Sequence, residues 1–221
     1  MEVVMNTNNI LDPITDVKPI HIIGCGAIGS NLAVMLIKLG AMEIHLWDFD
    51  RVEPHNITNQ AYNECDINTF KVDSLKNNLL HINPMSKIVA HNIPYTNERL
   101  SGYVFLCVDN IETRKDIVET NKINRNIKAM FDFRMGIYDA QHYACRWNAE
   151  GIEAFKATMN FSHDEAKQNI AVSPCGTSLS VLPTIQTVVS CGVENFIKLV
   201  REKEFHKVII VDTDAMNILT I

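Results

Sequence analysis

The sequence has almost nothing with which to build a disulfide framework. Its six cysteines (Cys25, Cys65, Cys107, Cys145, Cys175 and Cys191) stand far apart among 221 residues, and no two form a C-x-x-C pair. That spacing argues against a small stapled fold and against a Cys₄ zinc site, so reduced thiols are the expectation. The eight histidines show no H-x-x-x-H pair, and no imidazole metal centre is expected either. No stretch approaches the ~20 apolar residues of a membrane span. Basic blocks are missing as well. The 20 Lys and Arg face 26 acids, a net charge of −6, which leaves no electrostatic footprint for nucleic acid. Residues Met1 to Asn6 lack the charged flank and apolar core of a secretory signal. The expectation is a cytoplasmic protein without membrane or nucleic-acid partners.

What is present is an ordinary globular composition, 47% apolar and 21% charged, at a length that suits one domain. Residues 1–18, rich in Asn and broken by Pro13, read as an arm; residues 19–221 read as a single domain with a core over 19–135 and an extension over 136–221. The organising stretch lies at residues 21–30. An apolar run (Ile20, Ile22, Ile23) ends in Gly24-x-Gly26-x-x-Gly29, and helical spacing follows at once at Leu32, Met35, Leu36 and Leu39. Glu43 to Asp48 then reads as a second strand ending in an acid. Strand, glycine turn, helix and strand make the setting in which this fingerprint binds a nucleotide. The glycines permit a tight turn and close approach of backbone to phosphate, while the helix start offers unpaired N–H groups and a positive dipole end. Asp48 is placed to accept from ribose hydroxyls. By itself the fingerprint leaves NAD and ATP both open.

Downstream, a polar loop runs from Phe49 to Gln60, followed by a helix over 70–82, strands over 87–91 and 103–108, a helix over 111–124 and a fifth strand over 127–133. This alternation predicts an α/β fold: a Rossmann-like, mostly parallel sheet with helices on both faces. Beyond Gly136 the pattern changes to an antiparallel strand over 138–147, a polar segment over 150–170, a break at 173–177, a helix over 184–201 and a closing hairpin from 207–211 and 218–221. The glycine turn, the Asp48–Gln60 loop and Asp109-Asn110 each follow a strand end. In parallel sheets such segments converge on a ligand.

Four features in this order carry a resemblance: the glycine turn, Asp48-x-Asp50-x-Val52-Glu53-x-x-Asn56-x-x-x-Gln60, Lys71, and Val108-Asp109-Asn110-x-x-x-Arg114. The combination resembles the ThiF/MoeB/HesA family, the bacterial relatives of ubiquitin-activating enzymes, well over 19–135 and in outline over 173–220. The resemblance implies binding of ATP and magnesium and adenylation of a free C-terminal carboxylate on a ubiquitin-like protein or peptide acceptor. It also implies a homodimer or heterodimer. It assigns the phosphates to Gly24, Gly26, Ala27, Gly29 and Ser30, the ribose to Asp48, further nucleotide contacts to Asp50, Asn56, Asn59, Gln60 and Asn110, the α-phosphate cation to Lys71, and the magnesium carboxylate to Asp109. Asn110 is an equally good N-cap for the helix after it.

The departures count too. The family commonly has an arginine where this chain has Asn59, and a neutral amide supplies neither the charge nor the two-pronged geometry of a guanidinium. Arg51 is the substitute if the loop folds back. Residues 1–20 contain no arginine to reach a partner's site, and the paired C-x-x-C motif is missing. ATP binding is therefore better supported than turnover, and a nucleotide-binding, non-catalytic partner subunit stands as the alternative. Cys175, in Pro174-Cys175-Gly176, is the thiol placed for a thioester; Cys107 and Cys191 read as buried apolar positions. Arg134 is a candidate substrate contact, and Asp132 and Arg114 are open between site and structural roles.

Overall fold

A computed structural model describes residues 14–17, 19–96, 98–160 and 181–221. Strands β1 (Ile20–Ile23), β2 (Glu43–Trp47), β3 (Lys87–His91), β4 (Gly102–Leu106), β5 (Ile127–Met135), β6 (Asp139–Arg146), β7 (Val208–Asp212) and β8 (Asn217–Thr220) form one sheet. Their order is β3-β2-β1-β4-β5-β6-β7-β8. Neighbours from β3 to β5 run parallel, and those from β5 to β8 antiparallel. The helices are α1 (Ala27–Lys38), α2 (Lys71–Ile82), α3 (Ile111–Asn121), α4 (Ala149–Ala157) and α5 (Leu182–Val200). The expected alternation, the antiparallel extension and the closing hairpin are all present, with boundaries shifted by a few residues.

The period of two along each strand separates two cores. Ile20, Ile22, Ile44, Leu46, Phe105 and Phe131 pack with Leu32 and Leu36 of α1, Leu75 and Leu79 of α2, and Val188, Val189 and Phe196 of α5. Ile23, Trp47, Val104, Leu106 and Met130 face the other way, toward Ile117 and Val118 of α3 and Phe155 of α4. The apolar face of α5 thus serves the core. So does the end of the expected arm, because Ile14 and Val17 are buried in the first cluster.

The connection from β3 to β4 carries no helix among its described residues, and the sheet face beside it is polar. His21, His45 and His91 stand there on three adjacent strands. Trp47 Nε1 donates to His21 Nδ1 at 3.2 Å, and the Trp47 ring stacks on His91 with centroids 3.6 Å apart. His45 Nδ1 lies 3.1 Å from His91 Nε2, and its Nε2 lies 3.2 Å from Glu43 Oε1. Among the described residues no three metal-binding side chains converge, here or elsewhere.

Because indole N–H only donates, His21 Nδ1 accepts, and its proton sits on Nε2, a buried atom without a partner among the described residues. His142 repeats the arrangement. Its Nε2 lies 3.2 Å from Asn195 Nδ2, an amide oriented by its bonds to the His206 backbone, and its Nδ1 is buried with no partner among the described residues. Burial, reinforced at His21 by His45 and His91, lowers both rings from 6.5 to about 3. Both rings stay neutral in the folded protein and take up a proton on unfolding. Their contribution to stability is complete above pH 6.5 and declines as pH falls from there toward 3. Each costs about 1.4 kcal/mol per pH unit over that window. Chemical denaturation at pH 7.5 and pH 5 should show a loss of roughly 4 kcal/mol for the pair. His142→Phe should remove about half of that slope; a flat acid limb in the parent protein would contradict the assignment.

Candidate functional site

The β1–α1 turn is built by three glycines with different jobs. Gly24 has φ +93°, and a Cβ there would lie 2.7 Å from the Cys107 backbone. Its N–H donates to Trp47 O at 2.8 Å, and Cys107 N–H donates to Ile23 O at 2.8 Å, which packs the turn between the ends of β2 and β4. At Gly29 a Cβ would lie 1.9 Å from Gly24 O, so only glycine lets α1 start this close under the turn. Gly26 is the opposite case: a Cβ there meets nothing within 4 Å. It starts α1 with no side-chain cap, leaving first-turn N–H groups without a side-chain acceptor. Ala27 opens the helix beside it. Ser30 lies fully buried beneath, donating to Gly26 O at 2.7 Å and accepting from Ala61 N–H at 3.0 Å, so its hydroxyl is already engaged in holding the turn.

Asp48 lies at the end of β2 and accepts from two backbone amides, Cys25 N–H at 2.7 Å and Asp50 N–H at 2.9 Å. A carboxylate has about four lone-pair sites, so capacity for hydroxyl donors remains. Asp50 is the counter-ion of Lys71. The Nζ to Oδ2 distance is 2.9 Å, with the lysine side chain 10% exposed and the aspartate 53%. Lys71 N–H also donates to Asp50 O at 2.9 Å, fixing the start of α2 against the loop. Arg51 does not turn inward alone. Its guanidinium lies 3.8 Å over the Phe70 ring and donates to Asn68 O, while its backbone bridges Phe70. Asn56 is buried in a 3₁₀ turn (Pro54–Thr58), where its Oδ1 accepts from Glu53 N–H at 2.9 Å. Asn59 offers its carbonyl to Asn31 Nδ2 at 3.0 Å, and Gln60 keeps a buried Oε1 with no partner among the described residues.

Asp109 follows β4 as an exposed residue, and no described side chain or amide engages its carboxylate. Asn110 takes the capping role: its Oδ1 accepts from Glu112 N–H at 2.8 Å and Thr113 N–H at 3.2 Å. Arg114, Asp132 and Arg134 form a buried ion-pair system behind this turn. Asp132 thus lies within β5, and both it and Arg114 are ion-paired. Burial pushes the thiols of Cys25 and Cys107 up, so both stay protonated and neither is a nucleophile. Cys175 lies outside the described residues.

Three contributors escaped the sequence reading. Tyr62 donates to Cys25 O at 2.7 Å from below the turn. Asn31 donates to Ala27 O at 2.7 Å as well as to Asn59 O, and its Oδ1 accepts from Gln186 Nε2 of α5 at 2.7 Å. These are long-range contacts between unremarkable polar residues, and only the position of Asn31 after Ser30 hinted at one of them.

The residues present fit a nucleotide triphosphate and a magnesium ion. The backbone at Gly26 faces open space, and Lys71 is near enough to act electrostatically on the neighbouring Cys25. A lone exposed carboxylate at Asp109 suits magnesium, which keeps most of its ligands as water and phosphate oxygen rather than protein.

Comparison with known proteins identifies the family and the fold. The ubiquitin-like modifier-activating enzyme 5 of Caenorhabditis elegans is 31% identical over 114 residues, 44% of this chain and 27% of that protein. The tRNA threonylcarbamoyladenosine dehydratase 1 of Saccharomyces cerevisiae is 32% identical over 116 residues, 45% of this chain and 26% of that protein. The chain thus spans about a quarter of the length of these relatives. Among solved structures, PaaA superposes with a TM-score of 0.73 at 15% identity over 95% of this chain and 64% of that one. Escherichia coli MccB, solved with ATP, gives 0.68 at 17% identity, covering 96% and 65%. These likenesses establish the fold. The sequence model of the ThiF family matches residues 12–200, which takes in the glycine turn, the loop, both flanking helices and α5. The chain belongs to the ThiF family.

Proposed function

We propose that this chain is an ATP- and magnesium-dependent adenylyltransferase acting on the free C-terminal carboxylate of a ubiquitin-like protein or a peptide. The observation that carries the reading is the open backbone cradle at Gly26, set between Asp48 on one neighbouring strand end and Asp109 on the other. Magnesium, when bound, would screen phosphate charge as pyrophosphate leaves. The chain's own parts would do the rest. The turn would orient the phosphates, Asp48 would hold the ribose, Lys71 would stabilise charge on the α-phosphate, and Asp109 would fix the ion. These are positioning and electrostatic roles, the main levers for such chemistry.

One structural neighbour supports a dedicated acceptor, because E. coli MccB was solved with MccA and with MccA-N7isoASN. The C. elegans relative is named for a ubiquitin-like modifier. A second reading, a nucleotide-binding partner subunit without turnover, draws on Asn59 at the family's arginine position and on the engagement of Lys71 by Asp50 and of Arg51 by Phe70 and Asn68.

ATP–pyrophosphate exchange with a panel of peptides and small carrier proteins separates the two. Exchange stimulated by an acceptor, and reduced at least ~100-fold in Asp109→Ala, supports the first. ATP binding without exchange for any acceptor supports the second. Tighter binding of NAD than of ATP would overturn both.

A further inference from the structure

The turn that presents Asp109 is held from both sides, and the two fasteners differ in kind. On the helical side Asn110 caps α3, an ordinary local device. On the strand side the holder comes from a full helical turn away. Arg114, 7% exposed, donates Nε to Val108 O at 2.9 Å and adds a second donation to the same oxygen from an Nη. Its other Nη pairs with Asp132 Oδ1 at 2.8 Å. Asp132 is completely buried on β5, in register with Leu106 of β4. Its second oxygen is taken by Arg134 Nε at 2.7 Å. Arg134 in turn donates to the backbone and hydroxyl oxygens of Thr158, at 2.6 and 2.8 Å, and lies 4.1 Å over the Tyr143 ring.

A buried carboxylate shared by two guanidiniums is a costly way to fill space, since apolar groups of the same volume would pack with less desolvation. What it supplies is direction. Arg134 Nε hydrogen-bonds one oxygen of Asp132, while the other, Oδ1, faces Arg114 as an ion pair at 2.8 Å without an aligned hydrogen bond among the described residues. Charge attraction thus holds the Arg114 guanidinium where it grips the carbonyl immediately before Asp109. Lysine could not reproduce this, because a single ammonium cannot give two parallel donors to Val108 while pairing with Asp132.

We propose that Arg114 is a positioning residue for Asp109, fixing the β4–α3 turn through the Val108 carbonyl, with Asp132 as its anchor and Arg134 as the brace behind the anchor. This rests on the reading of Asp109 as the magnesium carboxylate. The reach of such a device is large, because a site group misplaced by about 1 Å can cost on the order of 100-fold.

The test compares Arg114→Lys and Arg114→Gln with the parent chain in two measurements. The first is amide hydrogen exchange of residues 107–113 in the nucleotide-free protein, expected to quicken at least ~10-fold in the variants while amides of α1 and α2 hold. The second is ATP titration with magnesium and again with EDTA. Affinity with magnesium should fall about 10- to 100-fold, while affinity in EDTA stays within about twofold. Adding Asp109→Ala to Arg114→Lys should then cost little more, since both act on one interaction. Unchanged exchange and unchanged magnesium dependence in a folded Arg114 variant would overturn the proposal. Should both variants fail to fold, Arg134→Gln loosens the brace from its more exposed end. The same two signatures at smaller amplitude support the proposal there, and their absence overturns it. If the parent chain binds ATP equally with magnesium and with EDTA, the magnesium reading of Asp109 fails. The clamp on the turn is then judged on the exchange data alone, faster exchange upholding it and unchanged exchange ending it.

Discussion

Lys71→Ala should abolish acceptor-stimulated ATP–pyrophosphate exchange while leaving the protein folded. The lysine sits at the start of α2 with its side chain 10% exposed, and its ammonium pairs with Asp50 at 2.9 Å. A cation at a helix N-terminus is disfavoured by the dipole, so this position gains nothing from the helix. The loss of stability on truncation should be small. Asp50 is 53% exposed and returns to water when its partner is removed, as the carboxylate of a surface pair does. The loss of rate should be large. A preplaced charge that stabilises the departing pyrophosphate is worth about 100- to 1,000-fold in such sites. Paired thermal melts and exchange assays decide it. A Lys71→Ala protein that melts like the parent and still exchanges would remove Lys71 from the mechanism and shift attention to Arg51.

The pairing with Asp50 also bears on the alternative function. If Asp50 merely parks Lys71 until nucleotide arrives, the triphosphate, carrying more negative charge, draws the ammonium away. If the pair is permanent, the chain has lost two phosphate cations, the loop arginine and this one, and a binding-only subunit follows. Asp50→Asn separates these cases. Exchange held or raised indicates a parked lysine, whereas a variant with ATP affinity improved and exchange still absent indicates a binding-only chain.

Much of this was legible in the sequence because β1 and β4 are buried throughout and read as apolar runs followed by helical spacing. The acid at the end of β2, the glycines before α1 and the Asp-Asn after β4 were placed correctly at strand ends. Their roles were less legible. Ser30 and Asn110 looked like nucleotide contacts, yet their hydroxyl and amide oxygens hold the turn and cap α3. Such assignments turn on which neighbour arrives first, a tertiary matter. The Arg114–Asp132–Arg134 system needed the β4–β5 register, because no spacing rule links residue 114 to 132. The histidines of β1, β2 and β3 meet only through the register of three strands, His21 opposite His45 and Trp47 opposite His91. The buried Ile14 and Val17 were hidden in a segment whose composition is that of a loop.

Gly26→Ala should fold normally and lose ATP, whereas Gly29→Ala should lose the fold. The two positions lie three residues apart in one motif, and their surroundings predict opposite outcomes. At Gly26 the backbone has φ −78° and ψ −146°, outside the left-handed region reserved for glycine, and the added methyl meets nothing within 4 Å. Alanine is a poorer N-cap than glycine but stiffens the unfolded chain, two effects of about 0.5–1 kcal/mol that oppose one another. The melting temperature should therefore move by only a few degrees. The methyl nevertheless occupies the cradle, and a phosphate that must approach the N–H groups of α1 is held off. A fall in ATP affinity of at least ~10-fold is expected, since a shift of a bond length weakens every hydrogen bond in the set. At Gly29 the methyl would lie 1.9 Å from Gly24 O, with the Ile22 side chain at 3.2 Å behind it. Nothing there is the mobile end of a flexible side chain, so α1 would have to back away from the sheet. Overpacking usually costs about 1–3 kcal/mol, and an overlap this deep with backbone exceeds that range, consuming most of the roughly 5–15 kcal/mol that holds a domain folded. Denaturant melts with calorimetric ATP titrations of both variants check the pair of outcomes. A Gly26→Ala protein that binds ATP as tightly as the parent would show that phosphate does not rest on this turn.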